Sequence, residues 1–328
     1  MRPRVGFLGT GWIGRHRMEA LIAAGAVEAA AFVEPDDDAA SATQAAAPGA
    51  TRMPDVDTLL EAELDGLVIA TPSAMHAPQA IAALERGMAV FCQKPLARNA
   101  EETGAVIEAA RHADRLLAVD FSYRFTRAVE AIAPIVRSGE LGHLFGAELV
   151  FHNAYGPDKA WFRNRALSGG GCVIDLGIHL VDLLLWMFDF PEVRTVESHL
   201  FAHGERLAPS PDAVEDYATV TLRLAGGAFA RLDCSWNHHA GCDADIRFAV
   251  FGTEGSVAVE NVGGSFYDFA AYRRTGTQAR TLVDPLDDWG GRAAVAWAHR
   301  LARDRSFDRR CEEALAVAEV VDRIYRGE

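Results

Sequence analysis

Arg4-Val5-Gly6-Phe7-Leu8-Gly9-Thr10-Gly11-Trp12-Ile13-Gly14 is a short β-prone apolar run, then three glycines spaced GxGxxG, then a helical pattern that continues through Ala24. Each glycine has a physical reading in that order. Gly9 makes a tight turn, Gly11 lets the backbone approach a pyrophosphate, and Gly14 lets helix and strand pack closely. The helix N-terminus adds amide donors and the positive end of a dipole, so Gly9 to Gly14, with Thr10, Trp12 and Ile13 between them, form a candidate phosphate cradle. A second strand at about 27–33 ends at Glu34, where a carboxylate is expected to accept from the adenosine ribose hydroxyls. Pro35 and Asp36 follow, and neither is a cation that would welcome a 2'-phosphate, so NAD is expected over NADP.

The alternation continues with apolar strands at about 66–70, 89–92 and 116–119, separated by helical stretches such as 74–85 and 101–112. Strands and helices taking turns predict a doubly wound parallel sheet, whose ligands bind at the carboxyl ends of its strands. Two segments sit at such ends: Thr71-Pro72-Ser73 with His76, and Gln93-Lys94-Pro95. Both are expected to face the cofactor. The later pattern differs. Ala218, Val220, Leu222 and Leu224 alternate with polar neighbours, Gly226-Gly227 marks a hairpin turn, and Ala228, Ala230, Leu232, Cys234 and Trp236 alternate on the way back. Ile246, Phe248 and Val250 continue toward another turn at Gly252 to Gly255, which predicts an antiparallel region. Helical patterns at about 289–302 and 310–325 close the chain.

Between these regions Gly169, Gly170 and Gly171 run into Asp175 and His179 at the head of an apolar stretch ending near Phe190. Residues four apart share a helical face, so the acid and the imidazole are expected to point the same way. Such a pair can move a proton, ligate a metal or sit as a buried polar pair.

Composition narrows the field. The chain has 328 residues, half of them apolar, enough for about two domains with sizeable cores. It carries 32 basic and 46 acidic residues, a net charge of -14, without a basic block. Nucleic acid and anionic membrane surfaces are therefore poor partners. The glycine-broken N-terminal run is too short for a signal peptide, and the apolar region 172–190 contains Asp175, His179, Asp182 and Asp189, which a membrane span tolerates badly. A cytoplasmic location is expected. Five scattered cysteines without a CxxC pair fit reduced thiols used in packing. Cys234, His238, His239 and Cys242 are spaced as zinc ligands can be, but read as a strand end and a turn, and no metal is expected.

Taken together, the chain resembles the glucose-fructose oxidoreductase, inositol dehydrogenase and MocA family of nicotinamide-dependent oxidoreductases, over nearly its whole length. The resemblance is carried by Gly9 to Gly14, Glu34, Ala70-Thr71-Pro72-Ser73-Ala74-Met75-His76, Gln93-Lys94-Pro95, Tyr123-Arg124-Phe125, Trp161-Phe162-Arg163, and Gly169 through His179. It implies an α/β chain: an N-terminal Rossmann domain, 1–121, with a doubly wound parallel sheet, then an α+β domain, 122–328, with an open, mostly antiparallel mixed sheet for substrate binding and oligomer contacts. A homodimer or homotetramer is implied. So is hydride transfer between a nicotinamide and a secondary carbinol of a sugar, inositol or related polyhydroxylated compound. The family's Glu-Lys-Pro lysine and its Asp and His four apart map to Lys94, Asp175 and His179 as catalytic groups. Tyr123, Trp161 and Arg163 fall at positions expected to line the substrate. Two departures stand out: the motif's Glu is Gln93, and the position before Tyr123, often Asn, is Ser122. Two other functions share this fold: a retained, recycling nicotinamide used in glycoside hydrolysis or sugar-sugar transfer, and a nicotinamide-sensing protein without turnover.

Overall fold

The computed structural model describes residues 2–328, which fall into two compact units. One comprises the chain up to Ser122 together with Gly290–Leu315, and the other Tyr123–Trp289 with Ala316–Glu328.

In the first unit the elements follow one another as β1 (Arg4–Leu8), α1 (Trp12–Ala23), β2 (Glu28–Val33), α2 (Asp37–Ala46), β3 (Thr51–Arg52), α3 (Val56–Leu60), β4 (Gly66–Ile69), α4 (Ser73–Glu85), β5 (Ala89–Cys92), α5 (Ala100–Ala113) and β6 (Leu117–Val119). The strands pair in the order β3-β2-β1-β4-β5-β6. Every pairing is parallel. Sheet strands covered on both faces read as unbroken apolar runs, which is why β4 and β5 are buried along their whole length. Phe7, Phe32, Leu67, Ile69 and Phe91 are fully buried, each contributing about 1.5–3 kcal/mol of transfer free energy. The strand order reverses between β1 and β4, the place where an open α/β sheet takes its ligand.

The helix Arg292–Leu301 belongs to this unit, although the expected boundary at 121/122 assigns it to the second domain. The reason is steric. Gly66 leaves a groove on β4 that the Trp297 ring fills, since a Cβ there would lie 2.9 Å from the indole, and Trp297 also packs on Phe91 at 5.7 Å. The amide of Leu116 donates to the carbonyl of Arg305 at 2.7 Å, fastening the following loop.

The second unit contains α6 (Arg127–Arg137), β7 (Leu144–Asn153), α7 (Arg165–Ser168), α8 (Ile178–Met187), β8 (Val193–Ala202), β9 (Glu205–Arg206), β10 (Tyr217–Leu224), β11 (Phe229–Ser235), β12 (Ala244–Gly252), β13 (Gly255–Asn261), β14 (Phe269–Thr275) and β15 (Gln278–Val283). Among the described residues its sheet has nine strands in the order β15-β14-β13-β12-β7-β11-β10-β8-β9. The predicted hairpin is present: β10 and β11 pair antiparallel, with Gly226 and Gly227 both at positive φ in the turn. The sheet is mixed because β7 runs parallel to β11 and antiparallel to β12. Alternation puts Leu149, Leu222, Leu232, Cys234, Ile246, Phe248 and Val250 in the core. The run Arg165–Met187 is long and apolar enough to cross a membrane, but its most apolar window is 89% buried within the fold.

Candidate active-site residues

The glycine loop is built as the spacing predicts. Gly9 lies at φ +76°, and a Cβ there would sit 2.7 Å from the carbonyl oxygen of Ala70. A Cβ on Gly14 would come within 2.0 Å of the Gly9 carbonyl oxygen. Only glycine satisfies both positions. Asp36 and Asn99 cap α2 and α5 with their side chains, whereas α1 begins at Gly11 with no side-chain cap and no acid in its first turn. Its leading amides therefore suit an anionic group supplied from outside.

Glu34 is nearly buried and both of its carboxylate oxygens are used. Oε2 accepts from the main-chain amide of Thr10 at 2.7 Å and Oε1 from that of Asp36 at 3.1 Å. Thr10 is held a second time, because Thr43 Oγ1 donates to Thr10 Oγ1 at 2.8 Å. The carboxylate is thus a clip for the loop, with lone pairs left for a ribose hydroxyl. Arg52, which reading along the chain from Glu34 missed, donates to the Glu34 carbonyl at 2.9 Å and pairs with Asp37 at 2.8 Å. Trp12 is 60% exposed and stacks on His16. The glycine cradle, the uncapped helix and the acid at the end of β2 fit a dinucleotide.

Behind the next strands the protein uses its own polar atoms more fully than expected. His76 is buried, with Nδ1 2.7 Å from the carbonyl oxygen of Pro95 and Nε2 2.7 Å from that of Thr71. Burial lowers its pKa, the two carbonyls oppose that, and the nearby Lys94 charge lowers it further. A neutral imidazole has one N–H, so His76 donates to one of these carbonyls and packs against the other, between the loop after β4 and the loop after β5. Thr71 Oγ1 donates to Gln79 Oε1 at 2.6 Å. Pro72 is the N-cap residue of α4. Lys94 precedes Pro95 across a cis peptide at the end of β5.

The Gln93 departure also has a local explanation. Asp120, just beyond β6, is buried, and its Oδ2 accepts from Gln93 Nε2 at 2.5 Å and from Arg17 Nε at 2.6 Å. A glutamate at 93 would set two carboxylates against each other, whereas the amide donates. Asp120 Oδ1 is buried without a hydrogen-bond partner in the protein, an acceptor at the carboxyl end of the sheet. Sequence reading did not single out Asp120. Its only signal was its position directly after an apolar strand.

In the second unit the run to His179 is helical, but Val173–Gly177 forms a π turn that precedes α8. Asp175 therefore sits in a widened turn and His179 in the first turn of α8, not on one uniform helical face. His179 packs on the Tyr123 ring, while the Asp175 carboxylate is near enough to act on the Tyr123 phenol through its charge. His179 is buried edge-on to Tyr123 with centroids 4.8 Å apart, and the Tyr123 phenol is pushed far up, first by burial and then by the charges of Tyr267 and Asp175. Phe151, Phe248, Phe269 and Trp289 complete the aromatic surround of Tyr123. Asp175 Oδ2 accepts from the indole Nε1 of Trp236 at 3.0 Å. Trp236 packs edge-on with Phe162, which stacks on Trp161 at 3.8 Å. The Trp161-Phe162-Arg163 turn is thereby linked through aromatic rings to Asp175.

Of the three glycines before Asp175, Gly169 ends α7 at a positive φ of 90°, and the other two answer to packing. A Cβ on Gly170 would lie 1.9 Å from Tyr325 Oη, and one on Gly171 would lie 1.9 Å from the Glu215 carbonyl oxygen. Glu215 is fully buried and accepts from the amides of Gly171 and Val173 and from Tyr325 Oη, each at 2.9 Å. Burial raises its pKa, and those donors pull it back. This acid caps the helical run and was not visible in the sequence. Cys234 lies in the core with its sulfur 3.9 Å from that of Cys172, while His238 stacks on His152 at 4.3 Å. The strand alternation that turns Cys234 inward separates it from its supposed partners. Among the described residues no group of three His, Cys, Asp or Glu side chains is arranged to hold a metal ion.

The first unit's sheet, glycine cradle and acidic clip define a dinucleotide-binding protein with an NAD(P)-type Rossmann domain, followed by an α+β unit with an open mixed sheet. Residues 3–121 match the oxidoreductase family model with an NAD-binding Rossmann fold, and residues 129–258 match the GFO/IDH/MocA C-terminal domain. The chain belongs to the GFO/IDH/MocA family. It is 30% identical to inositol 2-dehydrogenase of Acidothermus cellulolyticus over 78% of this chain and 72% of that one. It is also 30% identical to D-glucoside 3-dehydrogenase of Escherichia coli, over 54% of each chain, so the chain spans only about half the length of that and other similar relatives. Among solved structures, GenD2 from gentamicin A biosynthesis in complex with NAD superposes with a TM-score of 0.82 at 25% identity, over 99% of this chain and 94% of that one. KijD10, a 3-ketoreductase from Actinomadura kijaniata in complex with NADP, shares the fold with a TM-score of 0.85 at 20% identity, over 100% and 98%.

Proposed function

We propose that the chain is an NAD-dependent dehydrogenase or reductase acting on a secondary carbinol of a sugar, inositol or related polyhydroxylated compound. The observation that carries the reading is His179 packed edge-on to Tyr123, with Asp175 held by Trp236 in the preceding turn, in a chain whose other unit holds a glycine cradle clipped by Glu34. Relatives named as inositol and glucoside dehydrogenases support the substrate class.

When bound, a nicotinamide supplies the hydride acceptor or donor at its ring. The chain handles the proton. His179 takes the hydroxyl proton during oxidation and returns it in the reverse direction, while Asp175, held by Trp236, accepts a hydrogen bond from the substrate and fixes its orientation. Lys94 is the cation that stabilises alkoxide charge as it develops. Buried aromatic surroundings at Tyr123 and His179 keep water away from the proton transfer. NAD is favoured over NADP by the Glu34 carboxylate and by Asp36, Asp37 and Asp38, whose charges oppose a 2'-phosphate. Incubation with NAD and a panel of inositols, aldoses, sugar acids and amino-sugars tests the reading. Appearance of reduced nicotinamide with one member supports it, and absence of reduction across the panel, together with no oxidation of NADH by the corresponding ketones, refutes it.

A further inference from the structure

We infer that the second unit carries an anion site for the substrate, so that the compound it takes is a polyhydroxylated anion, a sugar acid or a sugar phosphate, and not a neutral polyol. This rests on the oxidoreductase reading and narrows it. An open pocket of about 620 Å³ is lined by Arg163, Asn164, Arg165, Ala166 and Asp212. The chain has a net charge of -14, and many of its arginines are already paired, Arg17 with Asp120, Arg52 with Asp37, Arg111 with Glu312 and Arg124 with Asp182, while others, such as Arg86, Arg115 and Arg137, donate to main-chain carbonyls. Arg163 and Arg165 reach no carboxylate of the described residues.

Arg165 is the more telling of the two. Its guanidinium lies over the Tyr325 ring, 4.5 Å from the centroid, and the Tyr325 hydroxyl is fixed in turn by Glu215. Its Nη1 is buried and has no hydrogen-bond partner in the protein. A buried charged donor without an acceptor is costly, and the ring contact holds the guanidinium in a fixed plane, so the part of Arg165 that lines the pocket is pre-organised toward a carboxylate or phosphate. Arg163 is exposed on the same pocket and adds a second fork. Asp212 reduces the local charge to one net positive and supplies an acceptor for a hydroxyl. Two guanidiniums and one carboxylate around a single pocket suit an anion that also carries hydroxyls. Asn164 is already used, since its Oδ1 accepts from the amide of Ala166 at 3.0 Å.

The test is calorimetric titration of the whole chain, with and without NADH, using D-glucuronate, D-glucose 6-phosphate and D-glucose. At least one of the two anions should bind about tenfold or more tighter than glucose, and the one with the larger advantage identifies the anion as carboxylate or phosphate ester. Arg163→Gln, at an exposed position, and Arg165→Gln should each shrink that ratio toward one. A folding defect lowers all three affinities together and leaves the ratio standing, so the ratio separates the two effects. Equal binding of all three sugars, or an unchanged ratio in Arg163→Gln, overturns the site. A chain that oxidises neutral sugars without preferring anions loses this site and keeps its oxidoreductase assignment. One that prefers glucuronate yet turns over no sugar keeps the site and loses that assignment.

Discussion

The main-chain amide of Thr10 donates to Glu34 Oε2 at 2.7 Å, so the acid expected to recognise a ribose is also the clip that shapes the glycine loop. Under the proposed NAD preference, a single side chain couples loop geometry to cofactor choice. Glu34→Ala removes the acceptor of two amides, and hydrogen bonds to a charged group are worth about 1.5–3 kcal/mol each. NADH affinity should fall by at least about tenfold, and discrimination against NADPH should narrow because a negative charge is lost while Arg52 remains on the Glu34 main-chain carbonyl. Fluorescence titration with both reduced cofactors checks this. Unchanged NADH affinity would show that the clip contributes nothing to binding.

Gln93 donates to the same oxygen of Asp120 that Arg17 engages, and this makes the amide matter. In Gln93→Glu two buried carboxylates oppose each other, with an expected loss of about 1–3 kcal/mol at neutral pH. Like charges raise a folded-state carboxyl pKa, so the folded state binds the extra proton. The variant should regain stability as pH falls below that raised pKa and lose it as pH rises through it. Adding Asp120→Asn should restore stability at neutral pH. Urea denaturation across pH measures both, and a Gln93→Glu protein as stable as the parent at neutral pH contradicts the pairing.

Trp236 holds Asp175 through its indole nitrogen, 3.0 Å from Oδ2. Trp236→Phe keeps most of the ring and removes the donor. Turnover should drop roughly tenfold while NADH affinity stays within about twofold, since about 1–2 kcal/mol of orientation is lost on the substrate side. A wild-type turnover number would mean that Asp175 needs no such support.

Much of this architecture was legible in the chain, for local reasons. Gly9 and Gly14 are demanded by atoms close in sequence or on the adjoining strand, and the 217–235 hairpin declares itself through two-residue alternation around paired glycines. What stayed hidden depends on contacts between distant segments, which leave no period. The parallel pairing of β7 with β11, the docking of Trp297 on Gly66, the Glu215 cap under Gly171 and the Asp120 carboxylate behind Gln93 are all of that kind. The Asp175 and His179 spacing predicts an α-helical face, yet it spans a π turn, because turn type is decided by packing around Gly177, whose missing Cβ would lie 3.2 Å from Cys234 Sγ. Arg52 escaped notice since it is near Glu34 in space and eighteen residues away in the chain.

His152 supplies a pH dependence. Burial pushes its pKa down to about 4 from an ordinary 6.5, His238 and Arg247 lower it further, and Asp245 and Asp233 oppose them. Its Nδ1 lies 2.8 Å from Ser235 Oγ. A base whose folded pKa is depressed is protonated first in the unfolded chain, so its contribution is present above 6.5 and is lost as pH falls toward about 4. Replacing His152 with Gln should flatten the stability profile across that interval. Chemical denaturation at successive pH values reads it, and an unchanged slope would assign the acid sensitivity to other groups.

The most direct test of the chemistry is His179→Ala, assayed by nicotinamide absorbance with whichever polyhydroxylated compound the wild type oxidises, and by NADH titration. Turnover should fall by about a hundredfold to ten-thousandfold with NADH affinity nearly unchanged, the signature of a lost proton acceptor. Full turnover in that variant would contradict the assignment of His179 as the base.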